Sequence, residues 1–212
     1  GEVIADQLGR STERLGFFVI PAAIAFAALP AEIIAALFQT GEFGSRETAV
    51  AAGVLAAYAI GVPAQATVKL FASGHYALGD TKTPVRIAAV SVIVGAVSAY
   101  LLMLKLGPAG IALGASIAAY TNSSLNYWRL TGKLGRFLGI RFQRTFGAVV
   151  LAGLAAAAAG ATLATSLAGE HPWVIAGSAL GLFGLVYGTM TLLLRHPEAV
   201  ALWNAVRRVK LH

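Results

Sequence analysis

An all-α fold, a polytopic membrane helix bundle with six transmembrane helices, is predicted by three observations. Of the 212 residues, 58% are hydrophobic and only 12% charged, against about 25% charged in a typical soluble domain. Six largely apolar stretches have about the 20 residues needed to cross a hydrocarbon core. When those stretches are read as successive spans, the basic residues collect on one side of the membrane.

The stretches are Leu15–Phe38, Ala49–Ala72, Val85–Leu106, Ala109–Tyr127, Phe146–Leu167 and Trp173–Leu194. Short connectors make neighbours in sequence antiparallel within one compact bundle. With the N-terminus in the cytoplasm, Arg10, Arg14, Lys82, Arg86, Arg129, Lys133, Arg136, Arg141, Arg144, Arg195, Arg207, Arg208 and Lys210 lie inside. Arg46 and Lys105 lie outside, and Lys69 falls within a span. Lys and Arg favour short cytoplasmic loops, so this partition predicts a multi-pass protein with both ends of the chain cytoplasmic. The formal charge of +7 is therefore read as membrane orientation. Nucleic acid is excluded as a partner, because binding it requires basic residues clustered on one solvated face. The chain has no cysteine, which removes disulfides, thiolate metal sites and a cysteine nucleophile.

The first span contains Pro21 and Pro30, each of which removes a helix hydrogen bond and can kink the span. Glu32 lies in its outer half and is placed to pair with a cation or to reach the interface. The fourth span carries Gly110 and Gly114, and the sixth carries Gly177, Gly181, Gly184 and Gly188 on one helix face. Small residues at this spacing let backbones touch, so both faces are expected to pack within the chain. The fifth span is an uncharged Ala/Gly run from Gly147 to Leu167 that fills space or lines a lipid-facing groove. The tail from Arg195 to His212 mixes Val200, Leu202, Trp203 and Val206 with basic residues, as short interfacial helices do.

The chemistry concentrates between Lys69 and Arg86. Lys69 lies in the second span four residues after Gln65, and a charge in that setting either marks a substrate path or snorkels to the interface. The run Gly79-Asp-Thr-Lys-Thr-Pro84 reads as a connector in which Asp80 and Thr81 bond backbone amides, Thr83 caps the next helix and Pro84 opens its first turn. Arg86 follows just inside that helix. Asn122 and Asn126 stack at i and i+4, where amides join helices or line a solvated path. Tyr127 and Trp128 before Arg129 match an interfacial anchor. The connector from Arg129 to Arg144 has five basic residues and no acidic one, which suits an anionic leaflet. His75, His171, His196 and His212 fall in or beside loops without metal-ligand spacing. The sequence carries no nucleophile triad, carboxylate pair, phosphate loop or zinc signature, which argues against an enzyme.

Several of these residues resemble a known family in order and spacing. Phe38-Gln-Thr-Gly-Glu-Phe43, Ala57-Tyr-Ala-Ile-Gly61, Val68-Lys-Leu-Phe71, His75-Tyr-Ala-Leu-Gly-Asp-Thr-Lys-Thr-Pro-Val85, Gly107-Pro-Ala-Gly-Ile-Ala-Leu113 and Asn126-Tyr-Trp128 are similar to the MurJ/MviN lipid II flippases. The chain departs from that pattern at His75, where phenylalanine is usual. The resemblance covers most of residues 10–135, whereas the last two spans match in position and hydropathy only. It implies a fourteen-helix transporter of the MATE-like multidrug/oligosaccharide-lipid/polysaccharide superfamily, with this chain as its last six helices and eight preceding ones as its partner. Residues 1–135 would then complete a MATE-like lobe, and residues 136–212 would add two helices and a cytoplasmic tail.

The implied activity is flipping of undecaprenyl-pyrophosphate-linked lipid II across the bacterial inner membrane for peptidoglycan synthesis, by alternating access. The final two helices would form a groove for the lipid tail at about Phe146–Leu194. No cofactor is expected, the driving force being the membrane potential or an ion not named by the sequence. Lys69, Arg86 and Arg14 would make the cytoplasmic side of the cavity positive, with Gln65, Asn122 and Asn126 beside them, and Asp80, Thr81, Thr83 and Pro84 would hold the connector. Lipid II and the surrounding membrane lipids would be the ligands. A related exporter for another lipid-linked sugar or a drug, and a membrane scaffold that does not transport, are the alternatives.

Overall fold

A computed structural model describes residues 1–209, apart from the side chains of residues 140, 141 and 205–209. The side chains of Arg141, Arg207 and Arg208, together with Lys210 and His212, lie outside the described residues. The described chain is helical throughout: α1 (Glu2–Ala28), α2 (Pro30–Phe38), α3 (Ser45–Ala77), α4 (Lys82–Leu106), α5 (Pro108–Leu134), α6 (Ile140–Ser166), α7 (Pro172–Leu193) and α8 (Pro197–Val209).

The expected first span is not one kinked helix but two. Pro21 is accommodated inside α1, whereas Pro30 starts α2 as its first residue. Leu29 between them leaves helical geometry at φ −125° and ψ 40°. Its N–H still donates to Ala25 at 2.9 Å, and its carbonyl accepts from Ile33 at 3.1 Å. The break therefore leaves the Leu29 backbone satisfied within the bundle, as buried backbone polar groups require. The Leu29 side chain is fully buried against Ile33, Ala164 and Ala179, which holds the break in place. Glu32 falls in the first turn of α2, where a carboxylate complements the positive end of the helix dipole.

Among the described residues, five helical segments are long and apolar enough to cross a membrane: α1, α3, α4, Phe142–Ser166 of α6, and α7. The expected sixth, α5, has 27 residues, but Thr121, Asn122, Ser123, Ser124 and Asn126 dilute its apolar character. It runs between the same two ends of the bundle as its neighbours.

The helices lie in the spatial order α4, α5, α3, α1, α6, α7, with α2 continuing α1 between α3 and α7. Although α3 and α4 are joined by a short connector and run antiparallel, α5 is the main neighbour of both. It runs parallel to α3 in a register that shifts by no more than one residue: Gly61 meets Ser116, Thr67 meets Ser123, Phe71 meets Tyr127 and Gly74 meets Leu130. Small residues permit these approaches. A Cβ on Gly61 would lie 2.7 Å from the Cα of Ser116, and one on Gly114 would lie 2.5 Å from the backbone of Ala99 in α4. Lipid is as apolar as a leucine side chain, so contact of this kind, rather than a hydrophobic drive, holds membrane helices together.

The expected packing role of Gly110 and Gly114 is thus met by α4. For α7 the expectation fails. A Cβ at Gly177, Gly181, Gly184 or Gly188 would have no described neighbour within 4 Å. The opposite face of α7, with Ala176, Ala179 and Phe183, is the one buried on α6 and α2. In α6 the Ala/Gly run packs on both sides, Gly153 on Ile24 of α1 and Gly160 on the Ala179 carbonyl of α7.

Candidate functional site

Two polar groupings lie on the α3–α5 pair. The first is a stripe on α3 formed by Tyr58, Val62, Gln65 and Lys69, whose spacings of four, three and four bring them to one face. Tyr58, Gln65 and Lys69 are exposed on this chain. Beside them Ala115, Ser116 and Ala119 of α5 close a cavity of about 120 Å³ with Tyr58, Val62 and Gln65. The Ser116 hydroxyl is taken up by the Ala57 carbonyl at 2.9 Å. Just below, Pro63 interrupts the α3 hydrogen-bond ladder. The Thr67 hydroxyl lies 2.7 Å from the Ala64 carbonyl and 2.6 Å from the Ser123 hydroxyl, joining α3 to α5 in the turn after Pro63.

Because α3 continues to Ala77, five residues beyond the expected end of the span, Lys69 stands eight residues inside the helix. That is about 12 Å along the axis at 1.5 Å per residue. Lys69 has no ion pair among the described residues. Its ammonium is available to an anion approaching the open face of α3.

The second grouping ties the α3–α4 connector to the end of α5. Gly79, at φ +74°, takes the left-handed conformation that glycine adopts without a Cβ penalty, and this lets the Asp80 N–H donate back to the His75 carbonyl at 3.0 Å. Asp80 Oδ1 then accepts the Thr83 N–H at 3.0 Å, and Oδ2 accepts the Lys133 ammonium. The Lys133 hydrogen bond and those from Thr83 hold the Asp80 carboxyl well below the usual carboxylate range. Thr83 is therefore not the helix cap that its sequence position suggests. Helix α4 begins at Lys82, Thr81 occupies the cap position without a side-chain cap bond, and Asp80 supplies the capping oxygen. Pro84 does sit in the first turn, buried.

Beside this ion pair lies His75, which belongs to α3 rather than to a loop and is 0% exposed. Its Nδ1 is 3.7 Å from Asp80 Oδ2. The nearby Asn126 is 1% exposed and donates to the Asn122 carbonyl at 3.0 Å and to its side-chain oxygen at 2.7 Å. The two asparagines share a face as expected, and they bond each other within α5. Tyr127 packs inward on Phe71 and Phe137, so only Trp128 is left as an interfacial anchor. Arg86 is exposed on α4 without an ion-pair partner among the described residues. Arg14 is drawn elsewhere, to Glu198 of α8 at 3.1 Å, and lines a crevice with Asp6, Phe142 and Pro197. The structure thus groups Lys69 with Gln65, and Asp80 with Thr83. Four residues of these groupings are not singled out by the sequence reading: Lys133, read there only as an orientation charge, Thr67 and its partner Ser123, and His75. The phenylalanine usual at the position of His75 was the available sign that this side chain is buried.

Residues 3–184 match the family described as "Lipid II flippase MurJ". The chain belongs to the MurJ family. Among curated members, a probable lipid II flippase MurJ of Rhizobium meliloti is 32% identical over 194 residues, covering 89% of this chain and 36% of that protein. The lipid II flippase MurJ of Burkholderia cenocepacia is 36% identical over 140 residues, 63% of this chain and 27% of the relative. A solved structure titled "Lipid II flippase MurJ, inward closed conformation" superposes with a TM-score of 0.76 at 23% identity, over 91% of this chain and 39% of that one, which places the MurJ fold on the described helices. This MurJ-family chain therefore spans about a third of the length of such relatives, and with its several apolar helices it is part of a multi-pass membrane protein.

Proposed function

We propose that the full-length protein is a lipid II flippase of the bacterial inner membrane, and that this chain supplies the C-terminal part of it. The observation that carries the reading is the family match over residues 3–184, joined to an unpaired lysine inside an apolar helix on an open face. Lys69 offers an ammonium to the pyrophosphate of the lipid headgroup. Gln65 and Tyr58, one and three turns further along α3, offer an amide and a hydroxyl to its sugars. Cations on inward-facing helix surfaces suit such a headgroup, and a helix interrupted by proline suits a lobe that rocks during alternating access. Arg86 adds positive potential at the start of α4. Arg14, held by Glu198, stabilises the docking of α8 and does not act on substrate. The remaining helices of the full-length protein complete the cavity that the open face of α3 borders. Both ends of this chain are cytoplasmic, a reading that the bias of basic residues to one side supports.

Two measurements test this. The full-length gene should rescue a bacterial strain depleted of its own lipid II flippase, and failure of a well-expressed protein to do so would remove the function. In a lipid II translocation assay, Lys69→Ala should reduce transport at least tenfold while Lys69→Arg retains most of it, since a buried charge-assisted contact is worth about 1.5–3 kcal/mol. Wild-type transport by a folded Lys69→Ala protein would remove Lys69 from the substrate path and leave the family function standing.

A further inference from the structure

The end of the bundle where the basic residues collect carries a second concave site, separate from the α3 stripe. A crevice of about 750 Å³ opens along the last turns of α5 and the start of the α5–α6 connector, lined by Tyr127, Trp128, Arg129, Lys133 and Arg136 among others, with no carboxylate among the described residues of its wall. The Arg129 guanidinium lies 5.1 Å from the centroid of the Trp128 ring, a cation–π distance. Trp128 is 64% exposed, as side chains at the headgroup level of a bilayer are. Membrane orientation accounts for the sign of these charges. It does not account for their convergence on one hollow, nor for what Lys133 touches.

Lys133 belongs both to the crevice and to the connector, because its ammonium bonds Asp80 Oδ2. That same oxygen lies 3.7 Å from Nδ1 of His75, a fully buried ring whose two nitrogens have no hydrogen-bond partner among the described residues. A buried polar group without a partner costs free energy. A neutral imidazole with its proton on Nδ1 can donate to a carboxylate after a shift of under an ångström. Asp80 thus faces two donors competing for one oxygen, and only the outer one can turn away into the crevice.

We propose that the crevice binds the phosphate of an anionic membrane lipid between Arg129, Lys133 and Arg136, and that binding draws Lys133 off Asp80, whose carboxylate passes to His75. Lipid occupancy is thereby linked to the α3–α4 connector without leaving the Asp80 carboxylate unpaired. The bilayer, rather than free phosphate, is the source, because the exposed Trp128 sets the crevice at the lipid–water boundary. This inference does not depend on the identity of the transported substrate.

The full-length protein, solubilised in a neutral detergent, is titrated with phosphatidylglycerol, with phosphatidylcholine and with inorganic pyrophosphate, and bound ligand is counted by native mass spectrometry. Phosphatidylglycerol should bind in preference to phosphatidylcholine, and pyrophosphate should not bind. Arg129→Gln with Arg136→Gln should weaken phosphatidylglycerol at least tenfold, from the loss of charge-assisted hydrogen bonds. Arg144→Gln, a nearby exposed cation outside the crevice wall, should change it less than about twofold. Asp80→Asn keeps an oxygen for the Thr83 N–H and releases Lys133, so it should tighten binding severalfold. Equal losses for Arg144→Gln and the double variant would reduce the site to general basic charge. Failure of Asp80→Asn to tighten binding would break the link to the connector. Pyrophosphate bound with the same pattern across variants would overturn the lipid as ligand. Each of these results refutes the proposal.

Discussion

Replacing Gly114 and Gly181 by alanine should give proteins of clearly different stability, although both glycines belong to small-residue motifs in apolar helices. In a helix interior alanine is favoured over glycine by about 0.5–1 kcal/mol, and this term is common to both positions. At Gly181 a Cβ meets nothing described within 4 Å, so the gain should persist. At Gly114 the Cβ would sit 2.5 Å from the N, Cα and Cβ of Ala99. Carbon atoms are at their optimum near 3.5–4.0 Å, so α4 would have to withdraw by about 1 Å. The opposing atoms are mainly backbone, and no flexible side chain can swing aside. Overpacking of this kind costs about 1–3 kcal/mol. The common helix term cancels in the comparison, which leaves about 1–3 kcal/mol between the two variants, Gly114→Ala being the less stable. Thermal unfolding of both full-length variants in one detergent measures it. Equal midpoints would refute the close α4–α5 contact as a determinant of stability. A Gly181→Ala protein as damaged as Gly114→Ala would show that the outer face of α7 is not open.

Three further outcomes are expected. His196 is stacked on Phe17 at 4.7 Å between ring centroids, and burial lowers its pKa more than Glu198 raises it. The fold thus favours the neutral ring. Docking of α8 should be complete above the ordinary histidine value and weaken as pH falls through about 6.5, seen as faster amide exchange in α8 at pH 5.5 than at 7.5 after correction for intrinsic rates. His196→Phe should abolish that difference. For Asp80 the sign differs, because its folded pKa is depressed: amide protection of the connector at residues 78–83 should hold constant from pH 8 to about 5 and fall only below the ordinary carboxylate range. Lys133→Met should lower that protection at every pH. Thr67→Val and Ser123→Ala should each cost about 0.6–2 kcal/mol, the range for interhelical hydrogen bonds in membranes. The double variant should cost little more than either, and full additivity in a double-mutant cycle would show that the 2.6 Å contact contributes nothing.

Much of the chain was legible because lipid imposes a local code. Apolar runs, basic connectors and turn residues act over one helix at a time, and the sequence places both ends of α3, α4, α6 and α7 to within two turns. The same local code explains the break at Pro30 only in part. Proline weakens a span, but whether it bends the helix or ends it depends on what receives Leu29, and that pocket is built by Ala164 and Ala179, more than a hundred residues away. Likewise Asp80 announced a capped connector, whereas its ion partner Lys133 comes from the far end of another helix. Thr83 precedes a proline as a helix cap would, yet the oxygen that does the capping is three residues earlier, on Asp80.

By itself, then, the sequence determined the membrane class, the basic side, the connector at Gly79–Pro84 and Lys69 as an isolated charge, since all of these follow from transfer energies and backbone preferences of neighbouring residues. Only the tertiary structure decided which glycines touch. Gly110 and Gly114 face α4 while the stripe on α7 faces outward, because a helix with small residues on one face and alanines on another can pack by either, and the choice belongs to its neighbours. It also decided that His75 is buried beside Asp80 and that Arg14 serves α8, since contacts between residues distant in sequence arise from the order in which the helices stack.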